Sequence, residues 1–124
     1  MNSRLQFAGA VALATLLTQS GDAADVSNGK AMFSRCAACH NAVKGGPNMI
    51  GPNLHGVVGR KAGTKSGFSY SLAMKNSGIT WTNQKLDAYI AHPAQVVPAN
   101  RMAFAGISDP KQRADLIAYL GTLK

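Results

Sequence analysis

Residues 36–40 read CAACH and contain the only two cysteines of this 124-residue chain. The cysteines are about one helical turn apart, and an imidazole follows the second thiol directly. This spacing is typical of the attachment site of a c-type haem, in which two thioether bonds hold the porphyrin and the histidine ligates its iron. The motif therefore predicts one covalent haem c, bound through Cys36 and Cys39, with His40 as an axial ligand.

Other uses of two cysteines fit this chain less well. A structural zinc site needs four ligands, and His55 and His92 do not supply the usual spacing of a second pair. A disulfide within C-x-x-C would close a very small ring and remove little entropy from the unfolded chain. A thioredoxin-like redox motif requires a strand–helix context that is not visible in this sequence.

The beginning of the chain has the character of a targeting segment. Arg4 supplies a positive charge without a nearby acid, residues 7–17 are mostly apolar, and small and polar residues follow. We expect residues 1–23 to be a cleaved secretory signal peptide, which exports a domain of residues 24–124 to the periplasm. An uncleaved membrane anchor is the alternative, although the apolar run reaches only about half of a bilayer's hydrocarbon thickness.

The chain is strongly basic. It has 13 Lys and Arg against 5 Asp and Glu, a net charge of +8 that removal of the predicted signal peptide leaves unchanged. This balance favours an acidic partner, either a protein or an anionic membrane surface. The basic residues are spread singly, whereas nucleic-acid-binding arms cluster their charge, so no nucleic-acid partner is expected.

Apolar periodicity and capping residues predict an all-α chain with no strand of any length. Residues 41–69 are rich in Gly and Pro and show no sustained period, which is unusual inside a small domain unless the loop wraps something other than protein. The predicted helices run from Asp25 or Ser27 to about Cys39, from Ser71 to Lys75, from Thr82 to just before Pro93, and from Ser108–Pro110 to about Gly121.

Several further blocks accompany CAACH in a fixed order. They are GKAMFSRCAACH (29–40), GPNLHGVVGRKAG (51–63), GFSYS (67–71), GITW (78–81), AYIAHP (88–93), RMAFAGI (101–107) and DLIAYL (115–120). With them the chain resembles class I cytochrome c of the mitochondrial and bacterial c2 type over nearly the whole predicted mature part. The resemblance implies a small single-domain cytochrome c fold, with helices and long loops wrapped around one covalently attached haem.

The second axial ligand is less clear from the residues alone. Met102 lies on a loop after a helix, far along the chain from CAACH, and it can return over the opposite haem face. The resemblance to the family implies that Met102 is this ligand. The other candidates are Met32, Met49, Met74, His55 and His92; we expect His55 to be a hydrogen-bonding loop residue and His92 to end a helix.

The resemblance also implies the surroundings of the haem. The carbonyl of Pro52 is expected to accept a hydrogen bond from His40, and Tyr89 to lie near the sulfur of Met102. Asn100 stands where relatives usually have threonine near a propionate. The remaining haem-binding residues implied near the propionates are Arg60, Tyr70 and Trp81.

Ligation by His and Met fills both axial positions, which favours one-electron transfer over substrate chemistry. The resemblance implies a soluble, monomeric electron carrier and not an enzyme. It would carry single electrons from a bc1-type complex to a terminal oxidase or photosynthetic reaction centre, through transient contacts with their acidic faces at the membrane surface. The expected basic rim consists of Arg35, Lys44, Lys75, Arg101 and Lys111.

Two alternatives from other functional classes remain open. A haem peroxidase or ligand sensor would need Met102 to be absent from the iron or easily displaced. A dithiol module without haem would use Cys36 and Cys39 as free thiols. Carbon monoxide binding to reduced protein and the colour of the exported protein, respectively, distinguish these alternatives from a carrier.

Overall fold

The computed structural model describes residues 23–124. Within that part the regular structure is helical, and the only pairing of β type is an isolated bridge between Lys61 and Thr80. The predicted all-α class is therefore confirmed, whereas the predicted signal peptide lies outside the described residues apart from Ala23. The helices are α1 Val26–Met32, α2 Leu72–Lys75, α3 Asn83–Ala91, α4 Pro93–Val96 and α5 Pro110–Gly121, with a short 3-10 helix Phe33–Arg35 after α1.

Side-chain oxygens cap the helices at the positions that the sequence predicts. The Asp25 carboxylate accepts a hydrogen bond from the Asn28 amide at 3.1 Å, and the Thr82 hydroxyl accepts one from the Lys85 amide at 3.1 Å. Asp109 caps α5 in the same way, with Pro110 in the first turn. Each such cap stabilises its helix by about 1 kcal/mol, because it satisfies an amide without a partner inside the helix.

Two boundaries differ from the prediction. The first α-helix ends at Met32 instead of near Cys39, because the Phe33 carbonyl accepts from the amides of both Cys36 and Ala37, at 2.8 and 3.0 Å. The chain there remains helical in path but is wound more tightly. Pro93 does end α3, but it also starts the short helix α4, since a proline lacks only an amide that the first helical turn does not use.

Helices α1 and α5 cross in direct contact. A Cβ at Gly29 would run into the backbone carbonyl of Asp115, so only glycine permits this separation. The rings of Phe33 and Tyr119 pack beside the crossing, with their centroids 5.6 Å apart. Leu116 is buried on the inner side of α5, so the crossing closes one side of the hydrophobic core.

A buried carboxylate fastens the same crossing. The Asp115 side chain accepts hydrogen bonds from the Asp25 amide at 2.8 Å, the Asn28 amide side chain at 2.7 Å and the Lys111 ammonium at 2.6 Å. These bonds lower the pKa of Asp115 to about 2, and the bond from the Asp25 amide has the largest effect. The start of α1 is thus tied to α5 through a carboxylate that stays ionised at neutral pH.

The long loop after CAACH is organised by side-chain amides instead of regular structure. Asn53 is fully buried and donates to the carbonyls of Val43 and Gly46, at 2.8 and 3.0 Å. Asn48 accepts from the Asn53 backbone amide at 2.9 Å and donates to the Ser66 carbonyl at 3.0 Å. Buried backbone groups that lack a helix or sheet partner are satisfied in this way.

None of the helices among residues 23–124 combines the length and the apolar character needed to cross a bilayer.

Candidate haem site

A cavity of about 430 Å³ lies between the CAACH segment, the long loop, helices α3 and α5, and the loop before α5. Its volume is within the range of ordinary cofactor pockets, roughly 300–1,000 Å³. All of the site residues named from the sequence line it: Cys36, Cys39, His40, Pro52, Arg60, Tyr70, Trp81, Tyr89, Asn100 and Met102. The fold therefore brings together residues from both ends of the domain.

His40 is oriented by the backbone of the long loop. Its Nδ1 lies 2.7 Å from the carbonyl oxygen of Pro52. A carbonyl oxygen only accepts, so Nδ1 carries the hydrogen, and Nε2 is left with the lone pair that a metal needs. Burial lowers the pKa of His40, which favours the neutral, ligating imidazole.

Gly51 makes room for this imidazole. A Cβ at this position would run into the His40 ring, so a side chain there is incompatible with the observed orientation. Sequence reasoning did not assign Gly51 to the site, although it opens the GPNLHG block. Its place directly before Pro52 was the signal that could have identified it.

The two cysteines are free thiols that line the same cavity. Burial raises the pKa of the Cys36 thiol, which keeps it protonated at neutral pH. Such a thiol is a slow nucleophile in thiol–disulfide exchange. Because both thiols line the same cavity as His40, the surroundings suit attachment of a buried apolar group better than redox exchange.

Met102 lies beside Tyr89 in the lining of the cavity. The Tyr89 hydroxyl donates to the Met102 sulfur at 3.9 Å, and burial raises the pKa of Tyr89 to about 12, so the donor keeps its proton. Of the six candidate second ligands, Met74 and Met102 line the cavity. His55 has its Nδ1 3.1 Å from the Ala42 carbonyl, in line with its expected place as a loop residue, and His92 is the residue that caps the C-terminal end of α3.

The polar residues expected near the propionates include Arg60, which the long loop holds. Its guanidinium donates to the backbone carbonyls of Asn53 and His55, at 3.0 and 3.3 Å. Burial lowers the pKa of Arg60, but a guanidinium remains charged at neutral pH. The Tyr70 hydroxyl accepts from the Lys65 amide at 3.1 Å. A half-buried cation here suits an anionic group, whose burial requires such a partner.

Asn100 lines the cavity, but its side-chain amide is bonded to protein backbone. The amide nitrogen donates to the carbonyls of Val97 at 2.8 Å and Pro93 at 3.2 Å. The amide oxygen accepts from the Met102 backbone amide at 2.8 Å. In this arrangement Asn100 holds the loop of Met102.

Few of the apolar residues that line the cavity were predicted from the sequence as site residues. It includes Leu86 from α3 and Leu116 and Leu120 from α5, which belong to the apolar stripes of those helices. The stripes were visible in the sequence, but they did not distinguish side chains that face a cavity from those that face other helices.

These residues fit a haem. An imidazole nitrogen, a thioether sulfur and two thiols share one largely apolar cavity with a guanidinium at its polar part. His/Met ligation and thioether attachment are the donor set of c-type cytochromes.

Comparison with known proteins gives the same answer. Residues 26–124 match the family model described as cytochrome c. The chain is 55% identical over 83 residues to cytochrome c of Trypanosoma brucei brucei, which covers 67% of this chain and 89% of that protein. It is 48% identical over 101 residues to cytochrome c2 of Rhodopila globiformis, covering 81% and 94% of the two chains.

A cytochrome c homolog of Bradyrhizobium diazoefficiens is 50% identical over 101 residues, but the chain spans only 55% of that longer protein. Among solved structures, cytochrome cH from Methylobacterium extorquens matches with a TM-score of 0.75 at 46% identity, covering 79% of this chain and 98% of that one. The peroxidase alternative finds no support among these relatives. The chain therefore belongs to the cytochrome c family, whose members carry single electrons on one covalently bound haem c.

Proposed function

We propose that this cytochrome c is a periplasmic carrier that holds its haem iron between His40 and Met102. The observation that carries the proposal is the shared cavity, in which His40 is oriented by the Pro52 carbonyl and the Met102 sulfur by the Tyr89 hydroxyl. A bound haem c would supply one-electron redox chemistry, and ligation by both His40 and Met102 would favour electron transfer over the binding of external ligands.

The chain's own residues serve this function by holding the site in one arrangement. The Pro52 carbonyl keeps the hydrogen on Nδ1 of His40 and so keeps Nε2 available to the metal. The Tyr89 ring packs on Trp81, with the two ring centroids 4.8 Å apart, and this packing keeps the Tyr89 hydroxyl in place as a donor to the Met102 sulfur. Cys36 and Cys39 provide the covalent attachment.

The propionates are proposed to lie at the polar part of the cavity lining. Arg60 supplies the positive charge there, and Tyr70 and Trp81 supply polar hydrogens from rings that line the same cavity. Arg60 is held in place by two backbone carbonyls, so little side-chain entropy is lost when it meets an anion.

Absorption spectra of the exported protein, oxidised and reduced, test the central proposal. A low-spin spectrum in both states is expected for His/Met ligation. The porphyrin is expected to remain bound to the denatured protein, because its attachment is covalent. Reduced native protein should bind carbon monoxide slowly, whereas Met102→Ala should bind it promptly. Prompt binding by the native protein would favour the sensor or peroxidase function, and an unchanged spectrum in Met102→Ala would remove Met102 from the iron.

The proposed partners are the acidic faces of a bc1-type complex and of a terminal oxidase or reaction centre. Arg35 and Arg101 are exposed, and both line the cavity, so positive charge lies beside the haem site. Lys44 and Lys75 are also exposed. Lys111 is paired with Asp115, so we assign it a smaller share in the basic rim.

Steering by such charges weakens as salt screens them over about 10 Å at 0.1 M ionic strength. The rate of electron transfer to an acidic partner complex is therefore expected to fall with ionic strength. A rate that is independent of salt would contradict electrostatic docking.

Export to the periplasm rests on the composition of residues 1–23 alone. The expected mature protein begins at residue 24 and fractionates with the periplasmic contents. N-terminal sequencing of protein from that fraction tests this, and full-length protein recovered with the membranes would favour the anchor instead.

A further inference from the structure

We propose that Asn100 is a positioning residue, which fastens the loop of Met102 to α4 and thereby sets how firmly the Met102 sulfur is held. The proposal rests on the proposed ligation of the iron by Met102 and adds the means by which this chain holds that loop. It replaces a contact with a propionate as the main role of Asn100.

The side chain of Asn100 joins two backbone segments. Its amide nitrogen donates to the carbonyls of Pro93 and Val97, at the start of α4 and just after its end, at 3.2 and 2.8 Å. Its amide oxygen accepts from the amide of Met102 at 2.8 Å. Both amide hydrogens and one acceptor site are thus used on backbone, and one of these three contacts is with Met102 itself.

The turn that delivers Asn100 needs such support. Val97 to Asn100 is closed by a hydrogen bond from the Asn100 backbone amide to the Val97 carbonyl at 3.2 Å, with Pro98 and Ala99 between them. Ala99 has φ of 63°, the left-handed region that favours glycine at this position of the turn. Because alanine is strained there, contacts outside the turn must keep it in place, and the Asn100 side chain supplies one such contact, its bond to the Pro93 carbonyl at the start of α4.

The other end of the loop is fixed separately. The Ile107 amide donates to the Ile90 carbonyl at 2.9 Å, and Gly106 packs so closely on the Ala91 carbonyl that a Cβ would collide with it. Met102 is two residues from Asn100 and five from Ile107. Asn100 is therefore the backbone anchor nearer to the sulfur, and its loss leaves the Met102 backbone held mainly from the far end.

Asn48 offers a matched control in the long loop. Its side-chain amide also bridges two loop segments, donating to the Ser66 carbonyl at 3.0 Å and accepting from the Asn53 amide at 2.9 Å. Asn48→Ala therefore removes bonds of the same chemistry without touching the Met102 loop. A general loss of stability would affect both variants, whereas loss of Met102 positioning would be confined to Asn100.

The experiment compares haem-loaded wild type, Asn100→Ala, Asn100→Asp and Asn48→Ala. The first measurement is the hydrogen-exchange rate of the Met102 backbone amide by NMR, and the second is the rate of carbon monoxide binding to reduced protein. We expect Asn100→Ala to accelerate both by about tenfold or more, since the acceptor of the Met102 amide is lost. Asn100→Asp keeps that acceptor but loses the donors to α4, so its Met102 amide is expected to stay more protected than in Asn100→Ala. Asn48→Ala should lower the melting temperature while leaving both rates as in wild type.

An unchanged Met102 exchange rate in Asn100→Ala would overturn the proposal, as would equal acceleration in Asn48→Ala. A shift of reduction potential in Asn100→Ala without faster exchange would assign Asn100 to a propionate instead. If the wild-type spectrum shows no sulfur on the iron, the proposed ligation fails, but the exchange rate still decides whether Asn100 anchors the loop.

Discussion

At the crossing of α1 and α5 two backbones touch, whereas the loop that carries Met102 is held by side chains near Met102 and by backbone contacts only at its far end. The crossing depends on a glycine, Gly29, because a Cβ there would meet the Asp115 carbonyl. The loop contains an alanine, Ala99, with φ of 63° in a conformation that favours glycine. One region is closely packed and unstrained at its critical residue, and the other accepts local strain.

The difference follows from what each region has to do. The crossing has to close the core around the cavity, and direct backbone contact with a buried carboxylate gives a rigid junction. In the proposed function the Met102 loop brings a thioether sulfur to the haem, and in the structure that sulfur lies beside the Tyr89 hydroxyl. Strain in such a loop persists only because its surroundings over-determine it.

The largest effect is expected at the crossing. Gly29→Ala places a methyl group against the Asp115 carbonyl and 2.8 Å from Cβ of Tyr119, so the helices must separate. We expect a loss of about 3 kcal/mol in the free energy of unfolding, measured by denaturant titration of the haem-loaded protein. Gly121→Ala is the control, because a Cβ there meets nothing within 4 Å. Equal losses in the two variants would mean that the crossing is looser than described.

The next effect concerns the buried carboxylate. The pKa of Asp115 is lowered to about 2 in the folded protein, below its ordinary value near 4. Its contribution to stability is therefore present above pH 4 and is lost as the pH falls through 2. Melting temperatures from pH 5 to 2 should fall more steeply for wild type than for Asp115→Asn. All other titratable groups are the same in the two proteins, so a difference between the curves reports on Asp115. Parallel curves would show that Asp115 does not stabilise the crossing.

A smaller effect is expected at the Met102 sulfur. Tyr89→Phe removes the hydroxyl that donates to it, at an expected cost of about 1 kcal/mol in retention of the sulfur. The affinity of reduced protein for carbon monoxide should rise by about fivefold, since 1.4 kcal/mol corresponds to a factor of ten. Tyr70→Phe is the control, because its hydroxyl bonds to the Lys65 amide instead. Equal carbon monoxide affinities in the two variants would show that the Tyr89 hydroxyl does not hold the Met102 sulfur.

The smallest effect is a gain at the strained turn. Ala99→Gly relieves a left-handed alanine, which costs roughly 1–2 kcal/mol, but adds glycine's backbone entropy of roughly 0.5–1 kcal/mol. We expect a net stabilisation of about 0.5 kcal/mol, seen as a rise of about 2–4 °C in melting temperature. Ala94→Gly in α4 should instead lower it. A lower melting temperature for Ala99→Gly would show that the loop is not strained.

Much of this site was predictable from short patterns along the chain. The CAACH segment predicts the attachment residues because two thiols and an imidazole must lie within one turn to reach one porphyrin. The caps at Thr82 and Asp109 were predicted correctly because a side-chain oxygen and the amide it accepts from are close in sequence. Gly29 is a further local signal, since a glycine inside a helix often marks the close approach of another backbone, here the Asp115 carbonyl.

The errors at helix boundaries and the omissions at the site have different causes, the first in local backbone hydrogen bonds and the second in contacts between separate segments. The early end of α1 and the presence of α4 depend on backbone hydrogen bonds that no propensity specifies. Gly51 joined the site because the long loop folds back on His40, and Asn100 turned to α4 because Pro93 and Val97 lie beside it.

Short segments of the chain are sufficient to predict the cofactor chemistry, the helical class and the starts of the four predicted helices, because each depends on groups only a few residues apart. The folded chain was needed to learn which side chains share the cavity, how the Asp115 carboxylate joins two helices and what the Asn100 amide holds. Those arrangements depend on distances between segments that are remote in sequence, and the packing of the whole chain sets such distances.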